Sequence, residues 1–353
     1  MEREISYVKA ILEATAQSMA EDASVYIMGL GVPDPKGIFG TTLGLKEQFG
    51  NQRIMDMPVS ESAMTGVAIG SAMVGMRPIL THQRLDFILV SLDQIINNAA
   101  KWHYMFGGKM SVPIVIRLIV GRGWGQGPQH SQSLQSLFAH IPGLKVVMPF
   151  TPYDAKGLLV SAIRDNNPVI YIEHRWLHNI TGIVPEKIYT VPLGKARVVK
   201  EGKDITIAAS SYMVLESMKA ADYLGKDGIF AEVLDLRTLQ PLDRESIINS
   251  VEKTGRLLVV DGACHTAGFA AEVMATATEK AFGHLKVSPQ RITYPDLPTP
   301  TSPALANVYY PRVINIINAV RSMFRLPGRT EDELGIKHDQ PLDVPDKSFT
   351  GPF

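Results

Sequence analysis

The sequence is nearly without cysteine. Cys264 stands alone among 353 residues, so no disulfide can form within the chain. That suits a reducing compartment. An excess of either charge is also missing. Thirty-five Lys and Arg balance 35 Asp and Glu, leaving no basic surplus for nucleic acid or an anionic membrane. Long apolar runs are absent, so no segment reads as a membrane span. The first residues, MEREISYVKAI, are charged and amphipathic, unlike a secretion signal. The expectation is a cytoplasmic protein with neither nucleic acid nor membrane as partner.

Several catalytic signatures are missing as well. There is no G-x-S-x-G elbow. The loop GRGWGQG (Gly121–Gly127) neither matches G-x-G-x-x-G nor ends in the Lys-Ser/Thr of a phosphate loop. His82, His103, His140, His174, His178 and His265 lack metal-ligand spacing. Asp261-Gly262 follows a strand, but no Asn stands where a diphosphate–magnesium motif needs one. Cys264 reads as a small buried residue.

What is present is alternation. SVYIMGLG (Ser24–Gly31), RPILT (Arg77–Thr81), VPIVIRLIV (Val112–Val120), LKVVMP (Leu144–Pro149) and PVIYIEH (Pro168–His174) read as buried strands. Helices are expected at Ile5–Glu21, within Arg53–Met76, at Phe87–Trp102 and at Ala155–Ile163. Such repetition gives an α/β fold with mostly parallel sheets flanked by helices. GIVPEKIYTVPLG (Gly182–Gly194) has two prolines and no helical period, and reads as a linker. The alternation then restarts. The expected organisation is a first domain over 1–181, the linker over 182–194, a second domain over 195–324 and an extended or partly disordered tail over 325–353. At about 100–200 residues per domain, two domains suit the length.

Three features of the first domain fall beyond strand ends, where open parallel sheets bind ligands. Glu61 opens a helix, although an acid there also simply complements the helix dipole. The glycines of GRGWGQG suit unusual dihedrals or close backbone approach. His130 stands in a polar loop with Ser131, Gln132 and Ser133. A lone loop histidine is more often a structural hydrogen-bonder than a catalyst.

The order of these features, with GLKEQFG, RIMDMPVSE, AIGSAMVGMRPI, DFILVSLDQIINNAAKWHYMFGG, QHSQSLQSLFAHIPGLKVVMP, AKGLLVSAIRDNNPVIYIE and LDLRTLQPLD, resembles one family. It is the beta subunit of the thiamine-diphosphate-dependent first component of 2-oxo acid dehydrogenase complexes, of the pyruvate, branched-chain and acetoin types. The likeness covers about Ile5 to Met323. It implies a transketolase-like pyrimidine-binding domain followed by a transketolase C-terminal-like domain. It also implies an alpha subunit that holds the diphosphate and Mg2+, an α2β2 heterotetramer and an acyl group passed to lipoamide on a lipoyl-bearing acyltransferase core. A split transketolase-like carboligase, with an aldehyde or sugar as acceptor, is the alternative.

By this resemblance Glu61 is the carboxyl that bonds the cofactor's pyrimidine nitrogen and so promotes loss of the thiazolium proton. Phe87 matches an aromatic that packs on the pyrimidine. His130 matches the active-site loop histidine that stabilises charge on substrate or intermediate and assists acyl transfer. SAIRDNNPV resembles a potassium loop, with carbonyls of Ile114, Ala162, Ile163 and Asn167 together with Asp165. A plain helix end closed by an Asp-Asn turn is the alternative there.

The sequence also departs from the family. Gly29-Leu30-Gly31-Val32 replaces an acidic pattern linked to proton communication between sites. Leu85 stands two residues before Phe87 where an aromatic is common, Arg84 is unusual in this pocket region, and Ser62 follows Glu61 where Gln, Met or Asn is common. Arg122 and Trp124 stand where smaller residues are usual. The tail beyond Phe324 is additional.

Overall fold

The computed structural model describes residues 2–347, 349 and 351. The chain divides into two compact units. The first takes the residues up to Gly121 with Leu137–Leu193, and the second takes Arg122–Ser136 with the chain from Gly194 onward.

In the first unit, parallel strands run in the order Lys145–Val147, Val169–His174, Val115–Val120, Arg77–His82, Val25–Met28, Ile54–Met55. Strands Val25–Met28, Val115–Val120 and Val169–His174 are buried at every position, as expected of strands covered on both faces and rich in Val and Ile. Ser6 caps the helix Tyr7–Glu21 by accepting the Lys9 N–H. Thr151 caps Pro152–Arg164, with Pro152 in the first turn.

Two segments depart from the expected pattern. The stretch read as a linker begins as a strand, Thr181–Pro185, paired antiparallel with Glu2–Ser6. Ile183 and Val184 supply β-branched residues there, and Val184 is fully buried. The helix expected over Phe87–Trp102 is irregular. A 3-10 turn spans Leu85–Ser91, a π-helical stretch spans Gln94–Ala99, and regular α-helix follows only at Ala100–Met105. Asn97 and Asn98 direct side-chain amides back to Asp93, an alternative to regular helix pairing.

The first unit's core holds a buried ionic cluster. Arg117 and Glu173 lie diagonally across adjacent strands, two residues apart in register, with Nε 2.6 Å from Oε1. His178 Nε2 lies 3.2 Å from the other Glu173 oxygen, and all three side chains are fully buried. Arg117 also donates to Thr41 Oγ1 at 2.9 Å. Burial pushes the Glu173 carboxyl up, but Arg117 and His178 overcome this and hold it below its ordinary value. Burial lowers the His178 pKa against the pull of Glu173.

The second unit orders its strands Gln290–Tyr294, Leu257–Cys264, Ile205–Ala209, Ala231–Asp235, Arg197–Lys200. Only Arg197–Lys200 is antiparallel to its neighbour. Helices Tyr212–Lys226, Arg244–Thr254, Phe269–Ala281 and Val313–Met323 accompany this sheet. The tail beyond Met323 carries a short helix, Glu331–Leu334, capped at both ends by Thr330 and Glu333 side chains and Gly335.

Candidate active site

In the first unit the ends of three neighbouring strands are knitted together. Asp56 Oδ1 accepts the N–H of Gly31 at 3.0 Å and that of Met57 at 2.9 Å. Gln83 Nε2 donates to the Leu30 carbonyl at 3.0 Å. Gly29 has no room for a side chain, because a Cβ there would stand 2.3 Å from the Thr81 carbonyl oxygen. The segment Gly29–Val32, where relatives are expected to carry acids, is thus bound through its backbone.

Past these strand ends Glu61 takes the first position of the helix Glu61–Met73, after Ser60. Its side chain is half-buried, and among the described residues it makes no hydrogen bond or ion pair. The helix packs against Leu85–Ser91, the turn that carries the half-buried Phe87. The fold therefore brings the elements of Glu61 and Phe87 together. A carboxylate without a protein partner, at a helix start and beside an aromatic-bearing turn, can accept or share a proton with a ring nitrogen.

The same region holds a buried arginine and a buried histidine. Arg84 is fully buried, and its guanidinium lies 5.0 Å from the Phe39 ring centroid, with that of Arg175 at 4.7 Å. Burial, reinforced by Arg175, pulls the Arg84 pKa down to about 10. His82 is buried at the end of its strand, and desolvation lowers its pKa to about 4. It is therefore neutral near pH 7.

His130 belongs to the second unit, within Arg122–Ser136, and is half-buried at the end of the turn Gly127–Gln129. Both ends of its loop are anchored there. Arg122 is buried with its guanidinium 4.7 Å from the Tyr212 ring and 4.5 Å from that of Tyr310. Gln135 donates to Asp261 Oδ1 at 2.8 Å, and Asp261 Oδ2 accepts the Ala270 N–H at 3.0 Å. Burial raises the Asp261 pKa, and these hydrogen bonds only partly offset it. Asp261 is therefore a structural acceptor at a helix start. Residues beside His130, including Gln129, Ser131 and Gln132, line a cavity of about 670 Å3 whose other walls include Cys264, Asp296 and Tyr309. Cys264 is exposed, contrary to the buried position expected of it, because it is the last residue of its strand and meets this cavity.

The residues of the expected potassium loop converge in the first unit, and local partners already engage them. Asp165 N–H donates to the Ala162 carbonyl at 3.3 Å, and Val169 N–H to that of Ile114 at 3.0 Å. The carbonyls of Ile163 and Asp165 each accept from Arg77 at 3.0 Å. The Asp165 carboxylate pairs with Lys145 and accepts the Asn167 N–H at 2.8 Å. This is an Asp turn closing a helix. Each carbonyl keeps a second lone pair for a cation. Elsewhere, no group of three or more His, Cys, Asp or Glu side chains among the described residues is placed to hold a metal ion. No helix among them is long and apolar enough to cross a membrane.

Residues 3–179 match the family model of the transketolase pyrimidine-binding domain, and residues 194–316 that of the transketolase C-terminal domain. The chain is 47% identical to the acetoin:2,6-dichlorophenolindophenol oxidoreductase subunit beta of Cupriavidus necator, over 92% of this chain and 99% of that protein. It is 43% identical to the 2-oxoisovalerate dehydrogenase subunit beta of Bacillus subtilis, over 90% and 98% of the two chains. For the pyruvate dehydrogenase E1 component subunit beta of Bacillus subtilis the identity is 42%, over 91% and 98%. Among solved structures, a split gene transketolase described as an inactive beta4 tetramer matches with a TM-score of 0.75 at 22% identity, covering 91% of this chain and 99% of that one. At that identity the likeness concerns the fold.

Proposed function

Because the chain belongs to the transketolase-like family of 2-oxo acid dehydrogenase and acetoin oxidoreductase beta subunits, we propose that it is the beta-type subunit of a thiamine-diphosphate-dependent first component. Its reaction is decarboxylation of a 2-oxo acid with transfer of the acyl group to lipoamide. The observation that carries this reading is Glu61, a carboxylate without a protein partner at the start of a helix packed on the turn of Phe87. The carboligase alternative has no comparable support, since the transketolase likeness is one of fold.

When bound, thiamine diphosphate supplies the nucleophilic carbon and the electron sink. In this proposal Glu61 would hold the cofactor's pyrimidine nitrogen through a shared proton, and Phe87 would pack against the ring. His130 donates to the substrate carboxylate or to the developing oxyanion. Diphosphate and Mg2+ are assigned to an alpha partner. The 162–167 loop is assigned a monovalent cation on its remaining carbonyl lone pairs.

Exposed apolar side chains support a partner. Ala63, Val67, Gly70 and Val74 repeat at helical spacing along the outer face of Glu61–Met73, with Val67 56% and Val74 82% exposed. Tyr104 is 88% exposed. The test is native mass spectrometry of the protein taken from its own cells, with magnesium and thiamine diphosphate present, followed by a decarboxylation assay with lipoamide and with an aldehyde as acceptor. An α2β2 mass carrying two cofactors and lipoamide-dependent turnover are expected. A homodimer carrying its own cofactor, or turnover with the aldehyde alone, overturns the proposal.

A further inference from the structure

Two of the chain's departures from its family meet in space. Asp343 and Phe349 of the tail lie against Gly123 and Trp124, in the loop that leads directly into His130. The Trp124 and Phe349 rings make an edge contact, with centroids 5.8 Å apart and planes at 76°. Phe349 is only 8% exposed. A Cβ on Gly123 would stand 2.5 Å from the Asp343 carbonyl oxygen, so loop and tail backbones are in close contact. Arg312, at the start of the helix Val313–Met323, donates to the Leu342 carbonyl and fixes the tail just before this contact.

The loop's backbone is unusual at the point where the tail meets it. Gly123, Trp124 and Gly125 lie at φ +65°, +52° and +68°. Glycine adopts that region freely, but tryptophan pays a steric penalty there. Such a conformation persists only when surrounding contacts over-determine it. Phe349 and Asp343 supply those contacts on the tail side, and the Tyr310 hydroxyl, 3.5 Å from the Gly123 nitrogen, supplies one on the domain side. From Trp124 the chain needs only the turn Gly127–Gln129 to reach His130.

We propose that the C-terminal tail is an intramolecular strap whose clasp, Phe349 on Trp124, sets the position of the His130 loop. Trp124 and Phe349 are positioning residues, acting through His130 on the 2-oxo acid or acyl acceptor. This rests on the assignment of His130 to the active site. It explains why a bulky Trp124 and an additional tail occur in the same chain, since each is the other's packing partner.

The test uses Phe349→Ala, Phe349→Leu and a chain ending after Asp339, each assembled with the alpha partner. Hydrogen exchange read by mass spectrometry should rise about tenfold or more in peptides covering 121–134, and stay unchanged in the helix Glu61–Met73. Turnover should fall about tenfold or more in Phe349→Ala and recover largely in Phe349→Leu. In a His130→Ala background, Phe349→Ala should have no further effect on turnover. Unchanged exchange in 121–134, unchanged turnover in Phe349→Ala, or an equal loss in the His130→Ala background each overturns the strap's role. A wild-type complex without thiamine-diphosphate-dependent turnover refutes the functional reading instead, and the exchange data still decide whether the strap holds the loop.

Discussion

Gln135 donates to the buried Asp261 carboxylate at 2.8 Å, tying the end of the His130 loop to the strand Leu257–Cys264. The other Asp261 oxygen accepts the Ala270 N–H, so one buried side chain joins a loop, a strand and a helix start. Asp261→Asn would point an amide donor at one of two donors. It is expected to cost about 1–3 kcal/mol, the penalty of an unsatisfied buried group. Urea unfolding of the variant checks this, and a midpoint equal to wild type would show that the junction is not structural.

Glu173 is expected to matter more to stability than any surface ion pair. Replacing it with Gln leaves Arg117 buried without its countercharge, at a cost of about 3–5 kcal/mol. Replacing Arg117 and Glu173 together with Met and Leu should recover much of that loss, because both desolvated charges disappear. Chemical denaturation of the two variants separates these outcomes.

His82 makes the fold sensitive to acid. Its folded pKa of about 4 lies below the 6.5 of an unfolded histidine. The unfolded chain therefore binds the proton more readily between these values. The stability contribution is fully present above pH 6.5 and is lost as pH falls through about 4, by up to about 3 kcal/mol. His178, also lowered by burial, adds to the same slope. His82→Gln should flatten the pH dependence of the unfolding free energy, and an unaltered slope would remove His82 from the account.

The cation assigned to the 162–167 loop is open to a simple comparison. Potassium should raise the melting temperature above that in choline chloride of equal ionic strength. At tenfold excess over its dissociation constant the gain is about 1.4 kcal/mol. Equal melting temperatures would leave the loop held by Arg77 and Lys145 alone.

Much of the scaffold was legible because the sheets announce themselves by mostly apolar runs, such as Val115–Val120 in the first unit and Ile205–Ala209 in the second. Glu61 could be placed at a helix start from its neighbours, although only family likeness gives it a chemical role. Other features depend on contacts between residues far apart in sequence. The π-helical stretch at Gln94–Ala99 is accompanied by the Asn97 and Asn98 side chains turning back on Asp93. The short strand at Thr181–Pro185 exists because Glu2–Ser6 offers an edge, and no local period reveals that. Cys264 looked buried by residue type, but its place at a strand end exposes it. The docking of the tail on Trp124 had no sequence signal beyond the joint presence of both.

The most direct test of the account is Glu61→Gln in the complex of this chain with its alpha partner. Gln keeps the size of the side chain and removes the carboxyl that shares a proton. The account predicts an unchanged assembly mass and a fall in 2-oxo acid turnover of about a hundredfold or more. Full turnover by that variant would contradict the role given to Glu61, and with it the central claim.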